Sequence, residues 1–158
     1  MHKLYVTEDQ ITYGQKYLLD LLNNRKLSEF WNKELSQKFT FPYVFNYAIG
    51  KQTPPSLVFI NAMNKYVNPA EWFYTVKEEK PVAKNENQEY TDDIRKSVNF
   101  VKLYKMYQDK TLWDFCKKNN LGYSGLYHSI NQRSLITNKM ILKLKEFFIP
   151  LDWFILAQ

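Results

Sequence analysis

The sequence predicts an all-α protein built as two small helical bundles in tandem, and three observations carry that prediction. The chain of 158 residues holds only 4 Gly and 6 Pro. That is too few for the turn every 8–12 residues or so that an all-β sandwich needs. Apolar residues recur at three- and four-residue spacing, the stripe of amphipathic helices. The same tail, Pro-x-acid-Trp-Phe, also occurs twice, at Pro69 to Phe73 and at Pro150 to Phe154.

Composition bounds the rest. With 45% hydrophobic and 17% aromatic residues the chain can pack a core. No apolar run approaches the ~18 residues of a membrane helix. Met1, His2, Lys3 and Leu4 do not open a signal-peptide core, so a soluble, cytoplasmic protein is expected. The single cysteine, Cys116, cannot form an internal disulfide, which suits a reducing compartment. It also rules out a cysteine zinc site within one chain, and His2 and His128 alone are a poor metal set, so no cofactor is expected. The net charge of +6 suits a polyanionic partner. Divided after Lys80, the first half has 10 basic and 8 acidic residues and the second 12 and 8, so the halves carry +2 and +4.

Trp72 and Trp153 stand 81 residues apart, as do Ile49 and Ile130. At that offset Met63 falls on Leu144, Ile60 on Ile141, Phe59 on Met140, Ser56 on Thr137 and Phe45 on Leu126. A gapless run of apolar matches with a matched Ser/Thr argues for duplication. The domains follow: 1–74, a polar linker at 75–96, and 97–158.

Each copy reads as helices. Phe59, Ile60, Met63, Tyr66 and Val67 form an amphipathic stripe, which Ser56 caps, since its hydroxyl can accept from an unpaired backbone N–H. Thr137 takes the same place before Met140, Ile141, Leu144, Phe147 and Phe148. Pro69 and Pro150 stop these helices. Upstream, Tyr17, Leu18, Leu21 and Leu22 mark a first helix, matched by Phe100, Val101, Leu103, Tyr104 and Tyr107. A second helix runs from Ser28 toward Phe39, or from Thr111 toward Asn119. A third holds Phe45 and Ile49, or Leu126 and Ile130.

This order, with a Gly-Lys-x-x-Pro loop at Gly50 to Pro54 and a capped apolar helix after it, resembles the helix-turn-helix domain of Cro and C1-type phage repressors, the lambda-repressor-like type. The residues that carry the resemblance are Leu35-Ser36, Phe39, Phe41, Phe45, Ile49 to Pro54 and Ser56 to Phe73 in copy one. In copy two they are Phe115-Cys116, Leu121, Leu126, Ile130 to Arg133 and Thr137 to Phe154. Ser36 and Cys116 fall at the family's small position, where helix two packs closely on helix three, which makes Cys116 a buried hydrophobe rather than a nucleophile. Copy one departs from the pattern in a shorter turn between Phe41 and Phe45. Both copies carry a neutral residue, Ala48 or Ser129, where the family often has an acid.

The resemblance implies that each third helix enters the major groove, with outward side chains on base edges and flanking groups on phosphates. With Phe45 and Ile49 inward, copy one would present Tyr43, Asn46, Tyr47, Lys51 and Gln52. With Leu126 and Ile130 inward, copy two would present Tyr123, Ser124, Tyr127, His128, Asn131, Gln132 and Arg133. Asn and Gln can pair bidentately with adenine and Arg with guanine. Lys51, Lys117, Lys118, Arg133 and Lys139 are candidate phosphate clamps. Trp72 and Trp153, placed after the last core helix, read as packing residues.

The expected function is sequence-specific binding of double-stranded DNA at an asymmetric site, by a transcriptional regulator of phage or bacterial type. The alternative is a protein-interaction module, an adaptor or inhibitor that docks a protein partner through the first domain. A homodimer is compatible with either. The sequence offers no Gly-rich phosphate loop, nucleophile elbow, metal spacing or catalytic acid pair, so an enzyme is not expected.

Overall fold

The structure, a computed structural model, describes residues 2–131 and 136–158. Among the described residues the chain is all α, with short 3-10 turns and isolated β-bridges but no strand. It divides into two compact units, Met1–Ala83 and Lys84–Gln158. None of its helices is long and apolar enough to cross a membrane.

In the first unit α1 spans Tyr13–Asn23, α2 Leu27–Glu34, α3 Phe41–Ala48 and α4 Leu57–Ala62, followed by a 3-10 turn at Pro69–Trp72. Helix α1 starts where the Thr12 hydroxyl accepts from the Gln15 N–H at 3.1 Å. It ends at Asn24, and Arg25 (φ 58°) turns the chain toward α2. Leu18 and Leu27 are buried and hold α1 to α2; full burial of such a side chain contributes about 1.5–3 kcal/mol. Helix α4 is capped by Ser56, whose hydroxyl accepts from the Phe59 N–H at 3.2 Å, and it sends Phe59, Ile60 and Met63 into the core.

Helix α2 stops at Glu34, short of the expected Phe39. Leu35 then plugs the core, and the Trp31 indole N–H reaches along the turn to the Phe39 carbonyl at 2.7 Å. The turn into α3 is therefore residues 35–40, and the stretch from Phe41 to Phe45, expected as a short turn, is the start of α3. Ser36 sits in it, exposed, with its hydroxyl on the Asn32 carbonyl rather than against another helix.

In the second unit α5 spans Val98–Gln108, α6 Leu112–Lys118, α7 Tyr123–Ile130 and α8 Asn138–Lys143, with 3-10 turns at Ile94–Lys96 and Pro150–Trp153. The fully buried Ser97 hydroxyl donates to the Ile94 carbonyl at 2.6 Å and accepts from the Phe100 N–H at 3.2 Å, joining the 3-10 turn to α5. Lys110 (φ 60°) turns α5 into α6 as Arg25 turns α1 into α2. Cys116 is buried in α6, and burial pushes its thiol pKa up. Leu126 and Ile130 face inward from α7, and Thr137 caps α8 by accepting from the Met140 N–H at 3.2 Å.

Both tails close on the core. Trp72 lies edge-on to Phe59 with ring centres 5.7 Å apart, and Trp153 stacks on Phe148 at the same separation. Neither buried indole N–H has a hydrogen-bond partner, so both rings act as apolar seals. Beyond Trp72 the chain pairs Thr75 with Thr12, and the Val76 N–H donates to the Ile11 carbonyl at 2.8 Å. Beyond Trp153, Leu156 pairs with Ser97 and Ile155 with Tyr90. Segment 75–96 is therefore not free throughout. Its two ends belong to the units they adjoin, and the division falls inside it, at Ala83 and Lys84.

Candidate nucleic-acid interface

Helix α3 does not present the residues expected of it. Val44, not Phe45, occupies the core position, and Tyr47 and Ala48 complete the buried stripe at helical spacing. Tyr47 was expected to face outward; it is 4% exposed, with its ring 4.5 Å from Phe59. The physical reason lies in where α3 begins. With Phe41 as the first helical residue, positions 44, 47 and 48 fall on the inner face, and Phe45 is rotated to its edge. There it meets His2 at 5.4 Å and Phe41 at 6.2 Å.

The N-terminal segment lies across this edge. The Tyr5 N–H donates to the Ile49 carbonyl at 2.9 Å, and Val6 packs where a side chain on Gly50 (φ 80°) would stand. Of the residues proposed in the first unit, Tyr43, Lys51 and Gln52 are exposed and Asn46 is half-buried. Lys51 Nζ lies 5.9 Å from the centre of the Tyr5 ring. These residues do not form one outward face with Tyr47, and α3 offers a partner little aromatic surface beyond Tyr43.

Helix α7 keeps its expected orientation. Ser124 and Asn131 are exposed, and Tyr123, Tyr127 and His128 are half-buried at the surface. The Asn131 side-chain amide donates to the Tyr127 carbonyl at 2.9 Å, leaving its oxygen to act as an acceptor. His128 Nδ1 is buried without a partner. Gln132 and Arg133 lie outside the described residues. Ser129, buried on the inner face, donates its hydroxyl to the Gly125 carbonyl at 3.1 Å. Only four residues, 119–122, connect α6 to α7.

Two features of this face escaped the reading of the sequence. The first is charge. Residues 115–145 contain six cations (Lys117, Lys118, Arg133, Lys139, Lys143 and Lys145) and no Asp or Glu. Summing charge by halves diluted that run. The second is aromatic. Trp113 is 58% exposed on α6, because Leu112 and Cys116 take the inner face and Trp113 is turned outward. It stands edge-on to Tyr123 at 5.1 Å, and the ring contacts continue through Tyr127 and Tyr107. The pattern Leu112-Trp113-x-Phe115-Cys116 contains the signal, since the stripe Leu112, Phe115, Cys116 leaves Trp113 on the opposite side.

Among the described residues no group of His, Cys, Asp and Glu is placed to hold a metal ion. Comparison with models of protein families, with curated proteins and with solved structures finds no match to this chain.

Proposed function

We propose that this protein binds double-stranded DNA in a sequence-specific manner through α7 of the second unit, as a regulator of transcription. The observation that carries the reading is the outer side of α6 and α7. Ser124 and His128 lie on α7 and Asn131 at its C-cap, in a stretch, 115–145, whose sequence has six cations and no anion, with Asp114 of α6 just before it. Base-edge donors and acceptors flanked by uncompensated lysines are what groove recognition requires. The short α6–α7 connection and the capped helix after it support a helix-turn-helix of the Cro and C1 type.

We further read the two units as copies of that fold, since each runs through four helices to a Pro-x-acid-Trp-Phe seal. The copies have diverged where DNA would lie. The first unit buries Tyr47 and rests its N-terminal segment on the edge of α3. DNA contact is therefore assigned to the second unit, and the site read is asymmetric.

Selection of random duplex DNA by the intact chain, repeated with Asn131→Ala, tests this. An enriched motif that changes at one position in the variant supports the reading. With about four phosphates neutralised, affinity should fall about 100-fold between 50 and 200 mM salt, as counterion release requires. No enrichment at low salt would refute the proposal.

A further inference from the structure

Trp113 is anomalous within its own chain. Trp72 and Trp153 are buried to 1% or less exposure, whereas Trp113 projects from α6 at 58%. A large aromatic surface left in water beside other rings marks a contact site rather than a packing residue. Recesses of about 480 and 410 Å³ flank it, and the Trp113–Tyr123 pair forms the wall common to both. The first is floored by Cys116 and Leu121 and carries Lys117; the second is floored by Leu112 and carries Lys110. Among the described residues, none apart from its chain neighbours has an atom within 4 Å of where a Cβ on Gly122, at the rim of the first, would stand. Each recess thus joins an aromatic wall, an apolar floor and one lysine.

We infer that Trp113 and Tyr123 form a two-sided stacking platform for unpaired nucleobases, so that the second unit holds single-stranded DNA. A base is flat and apolar on its faces and carries a phosphate on its sugar, which matches a ring wall with an ammonium at its edge. Lys117 lines one recess and Lys110 the other, so each offers an ammonium to a phosphate. Lys118 follows Lys117 on α6, adding positive charge at the side of the first recess. Proline-rich peptides also use Trp and Tyr walls, but a lysine in each recess favours the polyanion. The inference rests on the reading of this face as a DNA contact and shares Tyr123 and Ser124 with it.

The test is a fluorescence titration of the full chain at low salt. One ligand is an oligothymidylate of about a dozen nucleotides, the other a blunt mixed-sequence duplex of equal length. The wild type is compared with Trp113→Ala and Trp113→Phe, each checked for unchanged helical circular dichroism. The expected result is quenching of the wild type by the single strand, absent from both variants. Affinity for the single strand, read separately from the anisotropy of an end-labelled oligothymidylate, should fall about tenfold in the Ala variant and less in the Phe variant, which keeps a ring. Single-strand binding unchanged by Trp113→Ala would overturn the inference. So would quenching by a proline-rich peptide but not by the oligonucleotide. Duplex binding alone, indifferent to Trp113, would overturn it while leaving the reading of α7 intact. Binding of neither nucleic acid would remove both.

Discussion

Replacing Gly14 by alanine should destabilise the first unit through one contact. A Cβ at Gly14 would lie 2.7 Å from Trp72 Cε2 and closer still to Cδ2 and Cε3. Carbon atoms in contact prefer about 3.5–4.0 Å, so the indole would have to retreat by about 1 Å. It has nowhere to go, being 1% exposed with Phe59 against it. Overpacking of this kind costs about 1–3 kcal/mol. Alanine returns less than the roughly 1 kcal/mol of helix propensity seen at interior positions, because Gly14 is in the first turn of α1. The net loss should be about 2 kcal/mol, or about 8–16 °C in the midpoint of a unit of this size. Calorimetry of the full chain reads it as a shift in one transition with the other unmoved. Gly125→Ala is the control. There, among the described residues, the new methyl meets the Met140 Cε at 3.2 Å, a flexible chain end, and α7 should hold or gain stability. An unchanged or higher midpoint for Gly14→Ala would refute the argument that Trp72 lies directly on this backbone.

Ser97→Ala should cost more than Thr12→Ala in urea denaturation. Both remove a helix cap worth about 1 kcal/mol, but only the buried Ser97 hydroxyl also satisfies a carbonyl, that of Ile94. Equal losses would show the second bond to be idle. Tyr66 should ionise late, its pKa pushed up to about 12 by its hydrogen bond to the Glu34 carboxylate, then by burial. Because the folded pKa lies above the unfolded 10.0, the contribution is complete below pH 10 and is lost as pH rises toward 12. Ultraviolet titration would follow it, and Glu34→Gln should bring Tyr66 back toward its ordinary value; a wild-type Tyr66 ionising near 10 would disprove the pairing.

The parts of the fold legible in the sequence are those set by local chemistry. Ser56 and Thr137 precede apolar periodicity and cap the helices they precede, at 3.2 Å in both cases. Pro69 and Pro150 do not end these helices as expected: the helices stop at Ala62 and Lys143, and each proline instead opens a 3-10 turn. The register of α3 was not legible, because Val44 and Phe45 are both apolar neighbours and only the starting point of the helix decides between them. Phe45, the larger, looked like the core residue; tertiary packing gave that place to Val44 and filled the next with Tyr47. The end of α2 was hidden for a similar reason, since Leu35 and Phe39 continue an apolar pattern after the helix has stopped. In the candidate interface, α7 was legible because Leu126 and Ile130 are spaced by one turn with few apolar competitors. Trp113 was not, because aromatic residues are normally read as core. The N-terminal segment and the ends of 75–96 carry no periodicity at all. They are held by backbone hydrogen bonds, such as Tyr5 to Ile49, Val76 to Ile11 and Thr91 to Phe154, that any side chain would permit.

Those backbone stitches have a consequence for how such a unit can be handled. In the second unit Tyr90 pairs with Ile155 and Ser97 with Leu156, so the chain enters that bundle beside the point where it leaves it. A unit whose two ends meet can be set into a loop of another protein, or strung after a copy of itself, without stretching either end. The same stitching makes both ends one cooperative piece: the amides of Val98, Leu156 and Ala157, which donate to Ile155, Glu89 and Lys96, should lose their protection against hydrogen exchange together. The seam, rather than any helix, is where such a unit would first come open.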